Sequence, residues 1–138
     1  KYDQIFSPTD FDLIISDVAA ISNIFLNKTD WYDGVSCETG EDGLVLIAQI
    51  LKKAVEHLNP NGSIIYPVLS LSSETGISDV VKKHYRKTSV LVAKEWPHRF
   101  SENSFVETLR KHEEIGNISF KEISGLHIFK TSVWQSFN

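Results

Sequence analysis

Short apolar runs recur along the chain and alternate with stretches whose apolar residues follow helical spacing. The runs predict five strands, at about 11–18, 63–69, 89–94, 118–123 and 126–134. The stretches between them predict helices at about 42–58, 74–86 and 101–115. Strands that alternate with helices indicate an α/β sheet with helices on its faces. The last two strands, joined by Ser124-Gly125, predict an antiparallel hairpin at the edge of that sheet.

The helix predicted over 42–58 is the clearest single element. Its apolar side chains repeat with the period of a helix: Leu44, Ile47, Leu51, Ala54, Val55 and Leu58. Glu41 and Asp42 stand at its start, where the helix dipole favours negative charge. The turn sequence Asn59-Pro60-Asn61-Gly62 ends the helix and leads into the next strand.

Length and composition indicate one globular domain that spans residues 1–138. The net charge of −4 argues against a large nucleic-acid footprint, although it leaves room for a small local basic patch. Cys37 is the only cysteine, so no internal disulfide can form, and a reducing, cytoplasmic setting is the simplest expectation. No apolar run has the length of a membrane-spanning helix, and no membrane partner is expected.

The charged and titratable residues predict no metal site. The five histidines are scattered, and none forms a pair at metal-ligand spacing. A short basic cluster stands at the end of the second predicted helix: Lys82, Lys83, Arg86 and Lys87. We interpret this cluster as a complement to the helix dipole in preference to an RNA contact.

Four local patterns follow one another in a characteristic order. They are Phe11-Asp12-Leu13-Ile14-Ile15-Ser16-Asp17, the turn Gly40-Glu41-Asp42-Gly43 before a helix, Leu58-Asn59-Pro60-Asn61-Gly62-Ser63-Ile64-Ile65, and a closing helix with two strands. Together they resemble the C-terminal half of a class I, Rossmann-like methyltransferase that depends on S-adenosylmethionine, of the small-domain type. The resemblance implies methyl transfer to a nitrogen or oxygen acceptor, with S-adenosylmethionine as the cofactor.

The resemblance also implies roles for individual residues. Asp17, at the carboxyl end of a strand, is expected to position or deprotonate the acceptor, or else to cap a turn. Acceptor binding is expected from Ser16, Val18, Ala19 and Ala20, and from Trp31 and Tyr32. The two aromatic residues are alternatively interpreted as a small core beneath a loop. Asp3 and Phe6 resemble a loop near the cofactor's adenine in related enzymes.

Two departures from the family pattern limit what the resemblance implies. The strand ends in Ser16-Asp17-Val18-Ala19, without the Asn-Pro-Pro-Tyr of relatives that methylate amides and amines, so the acceptor stays open. No Gly-x-Gly-x-x-Gly occurs, which predicts a partial domain without its cofactor-binding half.

Such a half domain is expected to bind the cofactor weakly or not at all, and to be inactive alone. We expect the missing N-terminal half, or a second copy in a dimer, to pair across the sheet edge at Phe11–Val18. The alternative is a non-enzymatic α/β interaction module that acts through the same exposed edge.

Overall fold

The computed structural model describes residues 11–18, 20–26, 28–31 and 38–138. Its strands are β1 (Phe11–Ile15), β2 (Leu58–Leu69), β3 (Lys87–His98), β4 (Lys121–Ile123) and β5 (Leu126–Phe137). Its helices are α1 (Asn23–Leu26), α2 (Val45–Ala54), α3 (Glu74–His84) and α4 (Asn103–Glu114), and a 3-10 turn over Val55–His57 follows α2. Within these residues, no helix is long and apolar enough to cross a membrane.

The strands form one mixed sheet in the order β1-β2-β5-β3, with short β4 paired to β5. β1 and β2 are parallel, whereas β5 is antiparallel to both β2 and β3. The strands β1, β2 and β3 therefore all end at the same edge of the sheet. The predicted α/β class is confirmed, and so is the closing hairpin. The long strand of that hairpin, however, lies between β2 and β3 and not at the edge, because β3 pairs along its outer side.

The first face of the sheet is covered by α2 and α3. Ile64, Tyr66 and Val68 of β2 point to this face and are fully buried. They pack against a shared core that includes Ile47 and Leu51 of α2 and Ile77 and Val81 of α3. Two buried tyrosine hydroxyls form hydrogen bonds in this core. The Tyr66 hydroxyl forms a hydrogen bond with the Ser136 hydroxyl at 2.8 Å, and the Tyr85 hydroxyl donates one to the Leu51 carbonyl at 2.6 Å.

The second face is covered only near the carboxyl ends of the strands, by α1 and α4. Phe25 of α1 and Phe105 and Leu109 of α4 pack there with Phe129 of β5. The rest of this face is more open and carries both apolar and polar side chains. Residues directly opposite one another share a face, and the register places Leu13, Ile15, Ile65, Pro67, Val133 and Val92 on it. Leu13, Ile15 and Val92 are 47%, 72% and 58% exposed.

Several element boundaries differ from the predicted ones. The helix predicted from 42 begins at Val45, because Gly43 has φ +74° and breaks the helical path. β1 ends at Ile15, before the predicted end at 18. β3 continues through Trp96-Pro97 to His98. Proline is tolerated there because β3 is an edge strand.

The turn predicted at residues 59–62 is present as an irregularity inside β2. The parallel pairing passes from Phe11↔Leu58 directly to Leu13↔Ser63, so the turn bulges out of the ladder. A Cβ atom on Gly62 would lie 2.7 Å from the Phe11 carbonyl oxygen, which explains why glycine stands at this position.

Candidate functional site

The exit of β1 carries the predicted acceptor-site residues. The Ser16 amide donates to the Ile65 carbonyl at 2.9 Å and so extends the β1–β2 pairing by one residue. Asp17 follows with an exposed side chain, and Val18 packs partly against the first-face core. The side chain of Ala20 is fully buried in that core, so Ala20 can offer a ligand only backbone groups.

The turn Gly40-Glu41-Asp42-Gly43 locks this exit to the end of β2. Three groups donate hydrogen bonds to its backbone carbonyls. The Asn23 amide donates to the Gly40 carbonyl at 2.9 Å, and the Ser22 hydroxyl donates to the Glu41 carbonyl at 2.5 Å. The Ser73 amide donates to the Asp42 carbonyl at 2.8 Å. The Ser22 amide also donates to the Leu71 carbonyl at 2.7 Å. The chain after β1, the turn before α2 and the chain after β2 thus form one connected junction.

The interior of the junction is already filled. A Cβ on Gly43 would lie 2.6 Å from the Ser72 Cβ and 2.8 Å from the Ile21 carbonyl carbon. The Thr39 hydroxyl is buried and contacts the Ile21 carbonyl and the Asn23 side-chain oxygen. Because these groups satisfy one another, the described residues build no open cradle for a cofactor at this point.

Trp31 lies in an aromatic cluster on the second face, at the same edge of the sheet. Its ring is stacked against Phe25 at 6.1 Å and meets Trp96 and His98 edge-on at 5.8 and 5.3 Å between centroids. The predicted core beneath a loop therefore describes its packing. The ring is still 40% exposed, and with His98, Phe100 and charged neighbours it lines a cavity of about 380 Å³.

His98 and His127 lie directly opposite each other in this cluster. Burial lowers the pKa of His98, and the neighbouring His127 lowers it further. His127 is 4% exposed, and neither ring nitrogen has a hydrogen-bond partner within the described part of the chain. The sequence pattern did not reveal this pair, because its members are far apart in the chain and meet only through the β3–β5 register. No group of metal-ligating side chains forms among the described residues.

No protein-family model matches the chain, and no curated protein matches it. Among solved structures, the crystal structure of SMU.776, a candidate methyltransferase complexed with SAH, is 18% identical with a TM-score of 0.37. The match covers 90% of this chain and 26% of that one, so the chain spans about a quarter of its length. A match at this level does not identify the family.

Several predicted site residues fall outside the described residues. These are Asp3 and Phe6 for the cofactor, and Ala19 and Tyr32 for the acceptor. Their roles stay predictions. Of the remaining predicted residues, Ser16, Asp17 and Val18 follow one another at the exit of β1. Trp31 belongs to the aromatic cluster at the same edge of the sheet.

Proposed function

We propose that this chain is the acceptor-side part of a methyltransferase that uses S-adenosylmethionine and methylates a nitrogen or oxygen atom. The observation that carries the proposal is the exposed carboxylate of Asp17 at the carboxyl end of a parallel strand. Open α/β sheets bind ligands at this position. The junction built from Gly40–Gly43 holds the segment after β1 against the end of β2. Hydrogen bonds therefore fix the backbone that carries the Asp17 carboxylate.

The chain's own residues have limited but definite tasks in this proposal. S-adenosylmethionine, when bound, supplies the electrophilic methyl group. Asp17 accepts the hydrogen bond of the acceptor N–H or O–H and takes up the proton that methylation releases. Backbone groups of Ser16, Val18 and Ala20 orient the acceptor, and the exposed face of Trp31 stacks on its ring. Methyl transfer depends mainly on proximity and orientation, which explains the small number of polar side chains.

The cofactor itself is assigned to a partner. The described residues provide no cradle for it, since the junction at the strand ends is filled by Gly43, Ser72 and Ile21. We propose that a missing N-terminal half, or a second copy of the chain, adds a strand beside β1. Over residues 13–15 no described strand occupies the outer side of β1. Leu13 and Ile14 line an apolar hollow of about 400 Å³ next to it.

Calorimetry with S-adenosylhomocysteine tests this division of labour. We expect no measurable heat of binding with this chain alone and clear binding with the full-length gene product. In the full-length product, Asp17→Asn should lower kcat by about a hundredfold with little change in cofactor affinity, because a proton acceptor is lost. Tight cofactor binding by this chain alone would contradict the proposed absence of the cofactor half.

A second candidate function rests on the exposure of Ile15. A strand residue that is 72% exposed at a sheet edge favours an interaction module that recruits a partner strand. Size-exclusion chromatography of the chain and of Ile15→Lys distinguishes the two functions when combined with the calorimetry. Self-association that Ile15→Lys abolishes, together with a full-length product that binds no cofactor, would favour the module. We propose a reducing, cytoplasmic setting for either function.

A further inference from the structure

A second cavity lies at the opposite end of the sheet from Asp17. It has a volume of about 390 Å³ and lies between the last turn of α3 and the first residues of β3. Three cationic residues border it: Lys82 and Arg86 at the end of α3, and Lys87, whose pairing with Phe137 turns its side chain towards the second face of the sheet. Its position at the amino ends of the parallel strands separates it from the proposed acceptor site, so a role for this cavity is independent of the proposed function.

The charge lining this cavity is of one sign. No carboxylate among the described residues lines the cavity, although the chain as a whole carries a net charge of −4. None of the three cations takes part in an ion pair within the described part of the chain. Arg86 is held by a hydrogen bond from its guanidinium to the Asn61 side-chain oxygen at 3.1 Å, which occupies one of its five donors. Two unneutralised cations beside the hollow, Lys82 and Arg86, attract an anion.

The remaining wall of the cavity is apolar and partly aromatic. Trp134 lines it, and its indole N–H donates to the Ser132 hydroxyl at 2.9 Å, which fixes the orientation of the ring. The ring also packs against Tyr66 at 6.4 Å between centroids. Val90 lies directly opposite Trp134 in the sheet and is 56% exposed. A fixed aromatic ring beside an exposed valine is a surface on which a planar group can pack.

We propose that this cavity binds a nucleotide, with the phosphate between Lys82 and Arg86 and the base against Trp134 and Val90. Phosphate oxygens accept several charge-assisted hydrogen bonds at once, which suits a cluster of Lys and Arg. Bases stack on aromatic side chains with little dependence on sequence. The volume lies at the lower end of the range for small-ligand pockets, roughly 300–1,000 Å³, and suits a single nucleotide unit.

The nucleotide has two possible sources, a free mononucleotide or one unit of a single-stranded RNA. Calorimetry with AMP, with inorganic phosphate and with a short single-stranded RNA separates them. We expect AMP to bind with a Kd below about 1 mM and inorganic phosphate to bind about tenfold more weakly, because phosphate lacks the base. RNA that binds more tightly than AMP, with a steeper salt dependence, identifies the polymer as the source. Equal affinities identify the free nucleotide.

Neighbouring lysines supply a matched control. Lys82 lines the cavity, whereas Lys83, next to it on the same exposed helix end, does not. We expect Lys82→Glu and Arg86→Glu each to weaken AMP binding about tenfold, and Lys83→Glu to weaken it less than about twofold. Val90→Glu, which places a carboxylate on the apolar wall, should also weaken binding without touching the cations.

Two results would overturn the proposal. One is the absence of binding by both AMP and RNA at millimolar concentration. The other is an equal loss of affinity in Lys82→Glu and Lys83→Glu, which would reduce the effect to general electrostatics. Thermal unfolding followed by circular dichroism verifies that each variant is folded, and the exposed position of the lysines makes large losses of stability unexpected.

Discussion

The two faces of the sheet differ in how far they are covered. Over β2 the first face is closed by α2 and α3, and its side chains Ile64, Tyr66 and Val68 are fully buried. The second face is closed only where α1 and α4 meet the aromatic cluster, and Ile15 on the same sheet is 72% exposed. The first face is therefore a closed core over β2 and is open only near Val90 of β3, whereas the second still has extensive apolar surface whose burial would stabilise a complex.

This difference is most directly tested by two isoleucines on neighbouring strands. Ile64→Ala removes buried methyl groups from the first face and should lower the free energy of unfolding by about 2–5 kcal/mol. Ile15→Ala on the open face should cost less than about 0.5 kcal/mol. Urea unfolding of both variants provides the measurement. Equal losses would show that Ile15 is covered in solution, for instance by self-association.

The junction at the strand ends should belong to the rigid part of the molecule. Gly43→Ala combines a positive φ with a Cβ only 2.6 Å from Ser72, so we expect a loss of about 3 kcal/mol. Gly116 has φ +81° but no described atom within 4 Å of an added Cβ, and Gly116→Ala should cost only about 1 kcal/mol. Chemical denaturation compares the two. A loss at Gly43 no larger than at Gly116 would mean that the junction yields easily.

High pH should destabilise the first face through its buried tyrosines. Burial raises the pKa of Tyr66 to about 12, opposed in part by its bond to Ser136, and burial also raises the pKa of Tyr85. The folded state thus disfavours the phenolate. The stability from these groups is complete below about pH 10 and is lost as the pH rises through the folded pKa values. We expect a loss of about 1–3 kcal/mol between pH 10 and 12.

Tyr66→Phe is the variant that isolates the contribution of Tyr66 to this effect. It should flatten the alkaline part of a plot of unfolding free energy against pH, while costing about 1 kcal/mol at neutral pH for the hydrogen bond to Ser136. An unchanged alkaline slope would assign the effect to other groups.

Low pH should destabilise the second face, and this is the smallest of the four predicted effects on stability. The folded-state pKa of His98 is lowered by burial and by His127, so protonation favours the unfolded form. Stability from His98 is present above its usual pKa of about 6.5 and is lost as the pH falls towards the lower folded value. We expect the free energy of unfolding to fall by less than about 1 kcal/mol on acidification. The fluorescence of Trp31 and Trp96 should report the transition.

His98→Gln should remove this acid transition, and His84→Gln, on α3 outside the aromatic cluster, should preserve it. A transition that survives in His98→Gln would show that His98 is not its source.

Local pattern predicted the elements well, because periodicity and turn residues act over a few positions. The helix beginning near Asp42 and the strand containing Ile64 both followed from it, and the α/β class is confirmed. The order of strands did not follow, because the position of β5 between β2 and β3 depends on contacts between residues far apart in sequence. The same reason hid the His98–His127 pair and the packing of Trp31 on Trp96. Asp17 was found from its place after a strand, and its proposed role stays a prediction.

The irregular pairing of β3 between Val90 and Val92 has a consequence for solubility. Both outer strands of the described sheet expose apolar residues, and such edges invite chains to aggregate. β3 carries three features that oppose such aggregation: a bulge at Leu91, the charged residues Lys87 and Lys94, and Pro97 near its end. Residues 13–15 of β1 are uniformly apolar, with neither lysine nor proline. In concentrated solution, aggregation should therefore begin at β1, and a partner that covers this strand should also act as its solubiliser.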